Sequence, residues 1–105
     1  MTDKKLLELA AKAAGIDLNQ VNGPIVNGGV RLQDNWNPLT DDGDALRLAV
    51  KLELTLGAPF DHTIAMVWTS DITNFTGSAE KEGNIYAATR RAIVKAAANI
   101  GKNMK

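Results

Sequence analysis

The sequence predicts an α+β fold: an antiparallel sheet of about three to four strands, arranged as two hairpin-like pairs, with three helices. Three observations carry this. Apolar residues recur at helical spacing in three separated stretches, one at each end and one near the middle. The stretch HTIAMVWT at 62–69 alternates like a strand and carries no charge on either face. Clusters of Asn, Gly and Pro punctuate the chain between these segments.

The first helix begins at Thr2, a good N-cap, with Asp3 at the positive end of the helix dipole. Leu6, Leu7, Ala10, Ala13 and Ala14 give its apolar side, and Gly15 is a natural stop. Ile16 and Leu18 then alternate with Asp17 and Asn19. Asn22-Gly23-Pro24 and Asn27-Gly28-Gly29 are turn chemistry, because Asn and Gly tolerate positive φ. Alternation resumes in VRLQ at 30–33, so a hairpin is expected here, its register open between the two turns.

Pro38 keeps Asn37 out of helical geometry, which makes Trp36–Pro38 an approach loop. The second helix is expected from about Asp41 to Leu52, with Ala45, Leu46, Ala49, Val50 and Leu52 inward. Gly57, Pro59 and Asp61 break the chain again. In the strand at 62–69, Ile64, Met66 and Trp68 face one way and Thr63, Ala65 and Val67 the other. A strand apolar on both faces is a central one, with helices on more than one side of its sheet. Ser70–Gly83 is polar and reads either as a loop or as a short edge strand around Phe75–Ala79. The third helix has a buried stripe of Tyr86, Thr89, Ile93, Ala96, Ala97 and Ile100 and ends at Gly101. Its many alanines favour helix and permit close packing.

With 105 residues, the chain suits a single domain over 1–105. Twelve basic residues balance twelve acidic ones, so there is no bulk attraction to nucleic acid or an anionic membrane. Cysteine is absent, which removes disulfides, thiolate nucleophiles and zinc–thiolate sites. The N-terminal stretch starts charged and turns apolar, but Glu8 and Lys12 interrupt it, as in an amphipathic helix rather than a signal peptide. No run approaches a membrane span. The expected location is the cytoplasm of a bacterial host.

WNPLTDDGDALRLAVKL at 36–52, together with YAATRRAIVKAAANIGK at 86–102, resembles a family of small phage and prophage proteins that carry the phage ABA sandwich domain. The N-terminal LLELAAKAAGI fits as well, whereas the middle of the chain is individual. The resemblance implies an α-β-α sandwich and a phage-type origin. The family's function is unknown, and it implies no catalytic residues.

Three groups are candidate sites. Asp41, Asp42 and Asp44 suggest a metal site, but their spacing fails as a calcium loop: with Gly43 as the turn glycine, Pro38 takes the first ligand position and Ala49 the last. The better reading is structural, with Thr40 as the cap, the three aspartates in the first helical turn, and Asp44 spaced to pair with Arg47. Trp36 then packs as a plug at the helix start. His62 is the only histidine. It stands without partners at metal-ligand spacing or a marked nucleophile, so it reads as a polar residue at a strand entrance. Arg90, Arg91, Lys95, Lys102 and Lys105 make the third helix basic, with Arg90, Arg91 and Lys95 as the possible binding patch. Cations late in a helix complement its dipole. Arg90 and Arg91 lie in the first half, which leaves them as a candidate binding patch for phosphate or an acidic partner, or as a bridge to the acidic start of the second helix.

The expected function is that of a non-enzymatic phage accessory protein that binds a host or phage protein, with counter-defence as one such role. No cofactor or metal is expected. Nucleic-acid binding by the third helix ranks second, and a small enzyme centred on His62 ranks third.

Overall fold

The computed structural model describes residues 2–16, 25–26, 30–31, 36–57 and 63–104. His62, the break at Pro59 and Asp61, the alternation at 17–21 and both Asn-Gly turn signals lie outside the described residues. The fold class is α+β. The chain runs through α1 (Asp3–Ala14), β1 (Ile25–Val26), β2 (Val30–Arg31), α2 (Asp42–Lys51), β3 (Thr55–Gly57), β4 (Ile64–Trp68), β5 (Asn74–Ser78), a short α3 (Ala79–Glu82) and the long α4 (Ile85–Lys102). Strands β1 and β2 pair antiparallel on either side of residues 27–29, and β3-β4-β5 form a second antiparallel sheet with β4 in the middle.

Helix α1 starts and stops where its sequence dictates. The Lys5 N–H donates to Thr2 Oγ1 at 3.1 Å. At the other end Gly15 adopts φ 74°, its N–H reaches Lys12 O, and the Ile16 N–H reaches Ala11 O. This pair of bonds is a Schellman ending, which requires a left-handed residue at the position glycine occupies. Helix α2 ends in the same way without glycine. Glu53 takes φ 55°, and Leu54 N–H reaches back to Ala49 O.

The ambiguous segment before the last helix forms a tight turn, the edge strand β5 and α3. Asp71 accepts from the hydroxyls of Thr69 and Thr73 and from the Thr73 N–H. These donors hold its carboxyl below the ordinary aspartate range. The turn leaves Ile72 at φ 69°, a left-handed conformation that β-branched residues rarely adopt, and 78 % exposed.

The register of the sheet sets its two faces. Ala65 pairs with Gly77, and Val67 lies between Leu56 and Phe75. This face meets α4, and Ala65 and Val67 are fully buried. A side chain at Gly77 would overlap the backbone of Ala88, so helix and strand touch through their main chains. Helix α4 also runs parallel to α1, as the contacts Arg91–Asp3, Gly101–Leu9 and Lys12–Met104 show in sequence. Among the described residues the sheet, α1 and α2 all pack on α4. An α-β-α sandwich would also cover the outer sheet face; there Ile64 is at the edge of exposure and Met66 and Trp68 are half-buried.

Three expectations about the helices need correction. Gly101 does not end the last helix, which runs to Lys102; it is the point where α4 meets the backbone of α1. Tyr86 is not buried but 69 % exposed, whereas its neighbours Ile85 and Ala88 on α4 face the core. The inward stripe of α2 is Ala45, Leu48 and Ala49, with Leu52 half-buried, so Leu46 and Val50 point out.

Alanine dominates the buried set; the larger members are Leu6, Leu48, Val67, Ile93 and Val94. Such a core gains from close approach more than from volume. Gly101→Ala should therefore destabilise the protein by about 1–3 kcal/mol, as overpacking does. This would outweigh the roughly 1 kcal/mol by which alanine is the better helix former. Urea unfolding decides it, and a more stable variant would show that α1 is not seated against Gly101.

Candidate binding faces

The acidic stretch before α2 is consumed by structure. The cap lies one residue later than predicted: it is Asp41, not Thr40, whose side chain accepts from the Asp44 N–H at 2.8 Å. The Thr40 hydroxyl instead approaches Asn37 O. Asp42 and Asp44 occupy the first turn, where carboxylates meet the positive end of the dipole. Asp44 is only 3 % exposed. Its two oxygens accept from the Asn37 N–H at 2.9 Å and from Arg47 Nη2 at 2.8 Å, the pair its spacing suggested. Pro38 is fully buried beside it, and Trp36 packs half-buried on the core. The aspartate cluster thus anchors the approach loop to the helix. Among the described residues no group of three or more His, Asp or Glu is arranged to hold a metal ion.

Three cations of α4, Arg90, Arg91 and Lys95, do not act as one patch. Arg90 turns toward α2. Its Nε donates to Leu39 O at 2.9 Å and its Nη1 to Asp42 Oδ1 at 2.6 Å. This is the bridge to the acidic start of α2. Arg91, one residue on and so about 100° around the helix, turns the other way. Its Nη1 and Nη2 grip both oxygens of Asp3 at 2.9 and 3.2 Å, and its Nε donates to Glu82 at 2.8 Å. One guanidinium thereby ties α4 to α1 and α3 in the forked geometry that lysine lacks. Lys95 donates to Thr76 O at 3.0 Å on the sheet side.

The sequence reading misses an exposed apolar groove. Leu46 (58 % exposed), Leu56 (40 %) and Tyr86 (69 %) line one groove of about 190 Å³ together with Ala45, Thr89 and Ile93. Asp42 and Arg90 line it as well. Val50, 69 % exposed, lies one turn beyond Leu46 on α2. A signal was present: α2 has more large apolar residues than a single inward stripe accommodates, and Leu46 and Val50 are the i, i+4 pair outside the Ala45–Leu48–Ala49–Leu52 stripe.

A second groove, of about 390 Å³, lies on the Arg91 side of α4, lined by Leu6, Phe75, Lys95, Asn99 and Lys102 among others. Comparison with family models, with curated proteins and with solved structures gives no match.

Two predictions follow from these bonds. Asp44→Ala removes the acceptor for the Asn37 N–H and the partner of Arg47. Hydrogen bonds to charged groups contribute about 1.5–3 kcal/mol, so a loss of about 2–3 kcal/mol is expected in urea unfolding. A loss under about 0.5 kcal/mol, ordinary for surface changes, would place Asp44 outside the fold's support.

The second concerns acid. The hydrogen bonds and charge of Arg91 hold the Asp3 carboxyl below its ordinary value. Below that ordinary value the unfolded chain binds the proton more readily than the folded one. The pair's stabilisation is present above the unfolded pKa and is lost as pH falls through the folded one. Arg91→Gln should therefore lower stability at neutral pH and flatten its decline on acidification from about pH 4 downward. Parallel pH–stability curves for the variant and the parent chain would refute the pairing.

Proposed function

We propose that this chain is a small phage accessory protein that acts in the host cytoplasm by binding another protein, and that the Leu46–Leu56–Tyr86 groove is its contact face. One observation carries the reading: three large apolar side chains from α2, β3 and α4 stand exposed around a single groove. Scattered exposed apolar residues are ordinary, but contiguous ones in a protein with an alanine-rich core are a cost that binding a partner removes. The composition also suits an interface. Tyrosine and arginine are over-represented among residues that dominate binding energy, and Tyr86 and Arg90 line the groove together.

The phage origin rests on the resemblance of 36–52 and 86–102 to the phage ABA sandwich family. A host factor, including one of an immunity system, is the partner class this origin suggests. No described helix is long and apolar enough to cross a membrane. Nucleic-acid binding by α4 has less support, because Arg90 and Arg91 are already neutralised by carboxylates. Among the described residues nothing favours an enzyme.

The test is capture from bacterial lysate on the immobilised chain, with Tyr86→Ala and Leu56→Ser compared against the parent. Both side chains are exposed, so unfolding midpoints should stay close to the parent's. Affinity for the captured protein should fall by about 2 kcal/mol or more at a hot spot, some thirty-fold. Undiminished capture by both variants would refute this face. Retention of DNA or RNA alone, falling steeply with salt, would move the function to nucleic acid.

A further inference from the structure

The groove on the other side of α4 has a different chemistry. Along that helix Lys95, Asn99 and Lys102 follow at i, i+4 and i+7, so they share one face. Beneath them lie Leu6 of α1, Phe75 of β5 and Ala98 of α4. Leu6 and Ala98 are buried, and Phe75 is half-buried against the core. The result is a row of hydrogen-bond donors over an apolar floor. At about 390 Å³ the space lies within the range of roughly 300–1,000 Å³ in which small-molecule sites fall.

The charges around this floor are unequal. Arg91, at one end, is neutralised by Asp3 and Glu82. Lys95 donates to the neutral carbonyl of Thr76 and has no carboxylate partner among the described residues. Among the described residues Lys102 has no ion pair or hydrogen bond, and none of those that line the groove is acidic. Lys102 complements the end of the helix dipole, but that partial charge leaves most of its own uncompensated. Two lysines two helical turns apart, about 10 Å along the axis, have stems long enough to converge on one anion between them. Asn99 lies on the same face between them.

We propose that this groove binds a small organic anion with a flat apolar body, its phosphate or carboxylate held by Lys95, Asn99 and Lys102 and its body resting on Leu6, Phe75 and Ala98. Charge selects the head group and the apolar floor selects the body, so neither half alone should bind well. The site is separate from the Leu46–Leu56–Tyr86 groove and does not depend on the function assigned there.

The probe is 1-naphthyl phosphate, followed by calorimetry and by amide and methyl chemical shifts of the full chain. Saturable binding is expected, with shifts concentrated at Leu6, Phe75, Ala98 and Asn99. Lys95→Gln/Lys102→Gln should weaken it at least ten-fold, and Asn99→Asp, which puts a carboxylate among the donors, should do the same. The two variants are a safeguard against one failing to fold. Inorganic phosphate and 1-naphthol should each bind at least ten-fold more weakly than the joined molecule. Tyr86→Ala should leave the affinity unchanged. No saturation at about 1 mM probe would overturn the site. So would equal affinity in the folded variants, or 1-naphthol binding as tightly as its phosphate. Tighter binding of a single-stranded oligonucleotide, with affinity falling steeply in salt, would also overturn it and reassign the lysines to a nucleic-acid backbone.

Discussion

The structure depends on how closely the backbone of α4 approaches its neighbours. At Gly77 the edge strand reaches the Ala88 carbonyl, and at Gly101 the helix itself reaches the Leu9 carbonyl. Neither approach leaves room for a β-carbon. Between these two points the buried faces of α4 are lined by Ala88, Ala92, Ala96, Ala97 and Ala98, and α1 answers with Ala10, Ala11 and Ala14. Dispersion falls off quickly with distance, so a core of short side chains holds only if the main chains are drawn together. The glycines permit that approach, and the rest of the packing follows from it.

This explains which parts of the fold were legible in the sequence. Thr2, Gly15 and the periodic apolar residues of α1 mark its limits through local chemistry, and the structure follows them. The strand at 64–68 was legible because alternation is a property of the strand alone. Tyr86, Leu46 and Val50 were misassigned because burial depends on which of several apolar stripes a neighbour covers. When the neighbour is drawn close by glycine and alanine, it covers a narrow strip. Gly101 shows the same limit: a glycine near a helix end reads as a stop, and only the tertiary partner reveals it as a contact point. Thr40 and Asp41 are both good caps, so one residue of uncertainty there was intrinsic to the sequence.

Alanine and glycine pack tightly but specify direction poorly, since they offer few distinctive shapes. Orientation is instead supplied by charge. Arg90 fastens α4 to the Leu39 carbonyl and to Asp42, while Arg91 fastens it to Asp3 of α1 and Glu82 of α3. These adjacent residues leave the helix about 100° apart and between them reach the other helices of the described residues. Their carboxylate partners are partly or largely exposed, so each pair adds little energy. Their fixed geometry matters more, because a forked guanidinium accepts few alternative alignments. The acidic start of α2 serves the same end, with Asp41 and Asp44 closing the approach loop onto the helix before Arg90 reaches it.

Once these groups are assigned to structure, the remaining surface divides by chemistry along α4. Toward α2 the side chains beyond the narrow core strip are large and apolar, and their charges, Asp42 and Arg90, cancel. Toward α1 and β5 the floor is apolar but the rim carries lysines without carboxylates. The first face can lose water without stranding a charge, which is what a protein contact requires. The second cannot be covered by an apolar partner without desolvating Lys95 and Lys102, so its occupant must bring negative charge. The overall neutrality of the chain conceals this asymmetry, because Arg90, Arg91 and Arg47 are already paired with carboxylates within the fold. The lysines left over on the α1 side are what a ligand meets.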